Sequence, residues 1–291
     1  MTKITSLKIS VASGKGGTGK TMLSTNLALY LSQTQNTLLV DLDVEEPNDF
    51  VFISGTTENI SHQYKMIPAW DESKCEHCGI CSKNCKFHAV IQLGNNITIF
   101  NRLCHSCYAC SELCPANALP MQKYKIGEIK TIVNKRLIFL EGRLDIGEEQ
   151  AVPLINQTHQ LVNKDYNAIP YQIFDCPPGT SCPVVASCKY ADFVILVTEP
   201  TPFGLNDLIL AVETMRKLNK PIGVVINRYG IGNADVEKYC IQEQIIILAK
   251  IPYNKKIAKY YSQGKLVFDK IELMSDLLQN IINTIEKQIG I

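Results

Sequence analysis

The chain has almost no net charge: 29 Lys and Arg stand against 28 Asp and Glu, a balance of +1. Bulk electrostatics therefore give no case for a nucleic-acid partner or an anionic membrane surface. Nowhere does an apolar run approach the roughly 20 residues of a membrane span. The start, MTKITSLKISVASGKGG, reads as a polar lead into a strand, without the apolar core and cleavage site of a secretory signal. No low-complexity tract breaks the 291 residues. With 46% hydrophobic and 20% charged residues, the chain can bury a sizeable core and is not a disordered polymer. Its length suits one large domain with a small insert, or two modest domains.

Cysteine is what the chain has in abundance, with twelve. In a secreted protein they would suggest disulfides, but eight of them have metal-ligand spacing, and a reducing cytoplasm is the better fit. Cys75, Cys78, Cys81 and Cys85 form one C-x2-C-x2-C-x3-C run, and Cys104, Cys107, Cys110 and Cys114 repeat it. The short spacing lets three thiolates converge on one cubane while the distant fourth serves the other. Cys75, Cys78, Cys81 and Cys114 are therefore expected to hold one [4Fe–4S] cluster. Cys104, Cys107, Cys110 and Cys85 are expected to hold a second. Zinc is the alternative, although its sites usually pair two separated C-x2-4-C elements around one ion. With every ligand position filled by cysteine, His77, His88 and His105 read as surface residues. The segment 66–122 is too small and polar for much core of its own, so metal would hold it together.

On either side of this segment the pattern is different. Leu7, Ile9 and Val11 alternate into a glycine-rich turn, a helical stretch follows to about Gln33, and Leu38–Val40 ends at Asp41 and Asp43. Later apolar runs at 171–174, 193–197, 222–226 and 245–251 alternate with helical stretches, which predicts a mostly parallel sheet covered by helices on both faces. Between Ile126 and Ile155, the string RLIFLEGRLDIGEEQAVPLI (136–155) reads as strand, turn and strand leading into a helix. The expected architecture is an α/β domain from residues 1–65 and 123–291, interrupted by the small insert at 66–122.

Gly14-x4-Gly19-Lys20-Thr21 fits a phosphate loop in its strand–loop–helix context. Its glycines (Gly14, Gly16, Gly17 and Gly19) and Thr18 let backbone N–H groups face phosphate oxygens at a helix N-terminus. Lys20 would reach the β- and γ-phosphates, and the Thr21 hydroxyl would ligate Mg²⁺. Asp175, at the end of an apolar strand, is placed to bind the same ion through water; alone it would read as a cap. The expected cofactors are ATP, Mg²⁺ and two [4Fe–4S] clusters.

KGGTGKT, with its early lysine, resembles the deviant phosphate loop of the MinD/ParA/Mrp-type ATPases, which also include the nitrogenase iron protein. The resemblance implies that Lys15 reaches across a nucleotide-sandwich dimer; the other reading is a solvated loop lysine. DLDVEEPN resembles the first switch, with Asp43 orienting attacking water and Asp41 supporting the metal. DCPPGTSCPV resembles the second switch, with Pro178 and Gly179 sensing the γ-phosphate. Asn227 and Pro252 stand where relatives contact adenine. The strings DVEEPN, EGRL and TEPTPFGL are similar to those of a subgroup carrying an internal two-cluster ferredoxin domain. An intersubunit cluster finds no C-x-x-C among Cys176, Cys182, Cys188 and Cys240, which read as free cysteines. The apolar stripe of the C-terminal helix points to packing on the sheet, since its polar face lacks the basic residues of a membrane-surface helix.

These readings imply an ATPase, as a homodimer or a heterodimer with a related subunit, that gates electron transfer to a redox partner. The alternatives are an iron–sulfur carrier or assembly factor, and a regulatory ATPase whose clusters only stiffen the insert.

Overall fold

The computed structural model describes residues 6–291. The polar lead at residues 1–5, with the start of the domain drawn from residue 1, lies outside the described residues. In chain order the strands are β1 (Leu7–Ala12), β2 (Thr37–Asp41), β3 (Thr56–Pro68), β4 (Val90–Leu93), β5 (Asn96–Ile99), β6 (Met121–Asn134), β7 (Leu137–Leu144), β8 (Tyr171–Asp175), β9 (Phe193–Thr198), β10 (Ile222–Tyr229) and β11 (Ile246–Pro252). The helices are α1 (Lys20–Ser32), α2 (Ile80–Asn84), α3 (Ala109–Glu112), α4 (Ala151–Asp165), α5 (Cys182–Cys188), α6 (Pro202–Lys217), α7 (Asp235–Gln242), α8 (Lys255–Ser262) and α9 (Glu272–Ile289).

Nine strands form one sheet in the order β11-β10-β9-β1-β8-β2-β7-β6-β3. The seven from β11 to β7 are parallel, while β6 and β3 add an antiparallel edge. Alternation along each strand divides its side chains between two faces. Leu39, Ile173, Ile195 and Val225 join α1 and α9 on one face. Leu38, Val40 and Phe174 pack with α4, and Val194, Leu196, Val224 and Ile226 pack with α6, on the other. The apolar stripe of α9 is used in this way, with Leu278, Ile281 and Ile285 fully buried. Among the described residues no helix is long and apolar enough to cross a membrane.

The antiparallel edge differs from the expectation. Residues 137–144 of the 136–155 string make a single strand, β7, and its hairpin partner β6 lies upstream, with the turn at Lys135 in the left-handed region. A left-handed residue is what a tight hairpin turn demands. Strand β6 leaves β7 at the Gly127–Leu144 pair, but its pairing with β3 continues out to Pro68–Met121. Five pairs, from Tyr64–Lys125 outward, thus run beyond the sheet, a reach of roughly 17 Å at about 3.4 Å per residue. Because β7 is parallel to β2, this ribbon projects from the same sheet edge as Asp41 and the loop after β1.

Residues 69–120 hang from the ribbon tip, joined by Ala69 N–H to Pro120 C=O at 2.7 Å and Asp71 N–H to Ala118 C=O at 2.9 Å. The ribbon therefore takes in residues 66–68 and 121–122 of the expected insert. The tip unit has the β4–β5 hairpin, the short helices α2 and α3, and two small apolar groups built partly from cysteine.

Candidate functional site

The phosphate loop joins β1 to α1. Gly17 and Gly19 hold left-handed conformations, φ +76° and +100°, that only glycine adopts without strain. A Cβ at Gly14 would overlap the backbone carbonyl of Asp207. Helix α1 starts at Lys20 with no side-chain cap and no acidic residue in its first turn, so its N–H groups and dipole face the loop unopposed. Lys20 is buried, and the Thr18 hydroxyl is buried without a partner. Together these groups form a cradle for a phosphate.

Beside it the Thr21 hydroxyl donates to Asp175 Oδ2 at 2.7 Å. Asp175 Oδ1 has no partner, and neither oxygen of the fully buried Asp49 has one. Burial, then the facing charges of Asp41 and Asp175, holds the Asp49 carboxyl well above the usual range. Asp41 is raised by burial and by Asp175, and it organises the loop by accepting N–H bonds from Asp43, Asn48 and Asp49 at 3.0–3.1 Å. Such carboxyls keep their protons unless a cation is bound beside them. Among the described residues no three acidic, His or Cys side chains close tightly enough to cage an ion by themselves. That suits magnesium, which keeps waters and uses one or two carboxylates plus substrate phosphates.

Asp43 faces a pocket of about 680 Å³ that it shares with Val44, Glu46, Ala151, Pro178 and Ser181. Burial, partly offset by Lys20, raises its carboxyl to about 6. The segments around Asp43 and Pro178 thus meet over one space. Proline has no N–H, so Pro178 cannot donate to a phosphate, although its carbonyl can accept from a bound water. The Gly179 N–H, expected to face phosphate, is instead held by the Ser13 carbonyl at 2.9 Å, with Gly179 at φ +97°.

Lys15 lies 4.0 Å from Glu199, a buried carboxylate that Arg228 also approaches, at 2.7 Å. Asn227 Nδ2 donates to the Thr18 carbonyl at 2.7 Å, so the side chain braces the loop. Asn227 also lines, with Gly17, Gly19, Pro252, Tyr253 and Tyr261, a pocket of about 700 Å³. Sequence reasoning missed Asp49, Glu199 and Tyr261. Tyr261 stacks on Phe52, and its phenol is pushed up by burial and by the charges of Asp175 and Asp49. Asp49 had a local signal, as one more carboxylate after DVEEPN, and Glu199 lay within the string TEPTPFGL; Tyr261 had none.

At the ribbon tip, one small pocket is lined by Cys75, Cys78, Cys81 and Cys114, with Trp70 and Ile97. A second is lined by Cys85, Cys104, Cys107 and Cys110, with Phe87 and Met121. Three cysteines of each run meet the fourth of the other. The duplication extends to the backbone: His77 and Ser106, Gly79 and Tyr108, and His88 and Asn117 all take positive φ at equivalent places. Ala89 N–H reaches Cys85 Sγ, and Ala118 N–H reaches Cys114 Sγ, both at 3.2 Å. Burial pushes Cys110 up to about 11 and also raises Cys81 and Cys104, so these thiols need bound positive charge to ionise. Four cysteines lining each pocket are a donor set of the kind an iron–sulfur cluster takes. Elsewhere Cys176 and Cys188 are buried with sulfurs 3.8 Å apart, Cys240 is buried, and Cys182 is exposed at the start of α5.

A family model described as the CobQ/CobB/MinD/ParA nucleotide binding domain matches residues 9–267. An uncharacterized Methanocaldococcus jannaschii protein is 32% identical over 95% of this chain and 97% of its own length. An iron–sulfur cluster carrier protein of Pseudomonas fragi is 24% identical over 88% of this chain and 76% of its own. Among solved structures, the septum site-determining protein MinD of Pyrococcus horikoshii, complexed with Mg-ADP, is 18% identical. It superposes with a TM-score of 0.61 over 98% of both chains. The model spans the loop after β1, both switch segments and the sheet that carries them, and the chain belongs to the CobQ/CobB/MinD/ParA nucleotide-binding family.

Proposed function

We propose that this protein is a Mg²⁺-dependent ATPase, working as a dimer, whose nucleotide state gates electron transfer through two [4Fe–4S] clusters to or from a redox partner. The observation that carries the reading is the ribbon β3–β6: it holds both cysteine pockets on the sheet edge where the two switch segments meet. MgATP would supply binding energy that differs between two conformations, and the clusters would supply one-electron transfer.

Within that reading the chain's own residues have definite tasks. The loop N–H groups and Lys20 bind phosphate oxygens, and Thr21 and Asp175 would hold the magnesium ion, with Asp49 buried behind them. Asp43 orients water. Lys15 leaves Glu199 to reach the neighbouring protomer's phosphates, and Arg228 takes over the Glu199 carboxylate, so its charge is never left unpaired in a buried place. Asn227 steadies the loop while Pro252 and Tyr253 flank the base. Catalysis of this type is mostly positioning and charge stabilisation.

A second reading, cluster carriage, draws on the exposure of one ligand per pocket, Cys78 and Cys107, and on the relative named as a carrier. Anaerobic purification with iron and sulfide counts, then ATPase assays on oxidised and reduced protein, separates the readings. Roughly eight irons per chain and redox-dependent hydrolysis fit gating. Rapid intact transfer of iron and sulfide to an apo-acceptor fits carriage, and zinc in place of iron would sink both.

A further inference from the structure

The two cysteine pockets do not stand equally far from the ATPase body. The Cys85/Cys104/Cys107/Cys110 pocket is the near one: Cys85 and Cys104 pack with Ile67 and Tyr124 of the ribbon. Gln150 Nε2, just ahead of α4, donates to the carbonyls of Arg102 at 2.8 Å and Cys104 at 3.2 Å. The other pocket's Cys75 and Cys81 pack with the β4–β5 hairpin and Trp70, in an apolar group that Cys85 and Cys110 also border.

Beside the near pocket lies a buried ion pair. Lys65 Nζ is 2.9 Å from Glu148 Oε1, and the two side chains are 2% and 3% exposed. The same ammonium lies 3.5 Å from the Arg102 carbonyl and over the Tyr124 ring. Glu148 Oε2 is buried with no donor. A pair like this is weak as a stabiliser, since apolar replacement is often neutral or better. In a low-dielectric place, however, a fixed charge acts strongly on its neighbours.

We propose that the Lys65–Glu148 pair sets the reduction potential of the near cluster, the one Cys85, Cys104, Cys107 and Cys110 would hold, and leaves the other cluster untouched. The inference rests on the two-cluster reading above. Lys65 is a positioning charge: reduction adds an electron to the cluster, so a nearby ammonium favours the reduced form and Glu148 tempers that effect. The Arg102 carbonyl that Lys65 Nζ approaches at 3.5 Å lies two residues before the ligand Cys104. Glu148 also sits on the loop leaving β7, whose Leu144 N–H bonds the Val44 carbonyl at 2.9 Å, one residue past Asp43. The counter-charge is thus borne by a segment tied to the first switch.

The test is a redox titration of the anaerobically reconstituted full chain, followed by electron paramagnetic resonance, in wild type, Lys65→Met, Lys65→Arg and Glu148→Gln. The signal altered by Cys107→Ser identifies the near cluster. Lys65→Met lowers its potential, cutting its reduced-to-oxidised ratio on the order of tenfold at fixed solution potential, ~59 mV for one electron. Glu148→Gln shifts the same cluster in the opposite direction, Lys65→Arg restores the wild-type value, and the far cluster stays put throughout. A purely structural role would not give opposite signs. Should Lys65→Met not fold, the isosteric Glu148→Gln decides alone. Two intact clusters that shift together, or not at all, overturn this inference only. A chain that takes up no iron overturns the two-cluster reading and this inference with it.

Discussion

If Cys85 shares a cluster with Cys110 and not with Cys81, iron content in double variants must follow the pockets and ignore the sequence runs. Cys85 lines one pocket with Cys104, Cys107 and Cys110, while Cys81 lines the other with Cys75, Cys78 and Cys114. Two cubanes hold about eight irons, so loss of a ligand from one pocket should leave about four. Cys85→Ala and Cys110→Ala should each leave about four, and their double variant should still leave about four, because both damage one site. The Cys85→Ala/Cys81→Ala double variant should approach zero. Residues acting as a unit are non-additive, and residues in separate sites add. The assay is anaerobic reconstitution with iron and acid-labile sulfide counts on protein whose far-ultraviolet circular dichroism matches wild type. Were each run to hold its own cluster, the two double variants would exchange results. That exchange, or complete iron loss in a single variant, would refute the reasoning.

Three further outcomes follow from the geometry. Gly14→Ala forces a Cβ onto the Asp207 carbonyl and should abolish nucleotide binding by calorimetry while the cysteine unit still loads iron. Lys15→Ala should keep nucleotide binding but lose ATP-dependent dimerisation in analytical ultracentrifugation, with turnover down at least about tenfold, the effect of roughly 1.4 kcal/mol; unchanged dimerisation would make Lys15 a loop cation only. His159 is held neutral by burial, its value lowered from 6.5 to about 4. The unfolded chain therefore takes up this proton first, so stability falls as pH drops from 6.5 towards 4, by up to about 3 kcal/mol from this residue. Urea unfolding at pH 7 and 4.5 should show that extra loss in wild type and not in His159→Phe.

The parts legible in the sequence are those whose physics is local. A phosphate loop is a short run of glycines before a helix, and the two four-cysteine groupings follow from a spacing of two and three residues. Both could be read before any fold was known. The buried strands were also legible, because 38–40 and 193–197 are apolar at every position, as strands covered on both faces must be. The long strand β3 was not: TTENISHQYKMIP is mostly exposed, lies on the sheet edge and alternates weakly, so only its pairing with β6 makes it a strand. Nor could any window join Lys15 to Glu199, Tyr261 to the phosphate loop, or Lys65 to Glu148. These contacts exist because distant strands end at one edge and because a ribbon brings 56–68 beside 121–134. The expectation for Gly179 missed a competing acceptor, the Ser13 carbonyl on the neighbouring strand β1's loop.

The central claim is that nucleotide state at the sheet edge reaches the cysteine unit on the ribbon. Its most direct measurement is the electron-transfer rate from a chemically reduced, fully loaded protein to a one-electron acceptor, with Mg²⁺ plus a non-hydrolysable ATP analogue, with Mg-ADP, and with no nucleotide. The account predicts that the analogue changes the rate at least about tenfold relative to ADP, and that Asp175→Asn or Lys15→Ala removes the difference. Equal rates in all three states, in protein that binds nucleotide and carries both clusters, would contradict it.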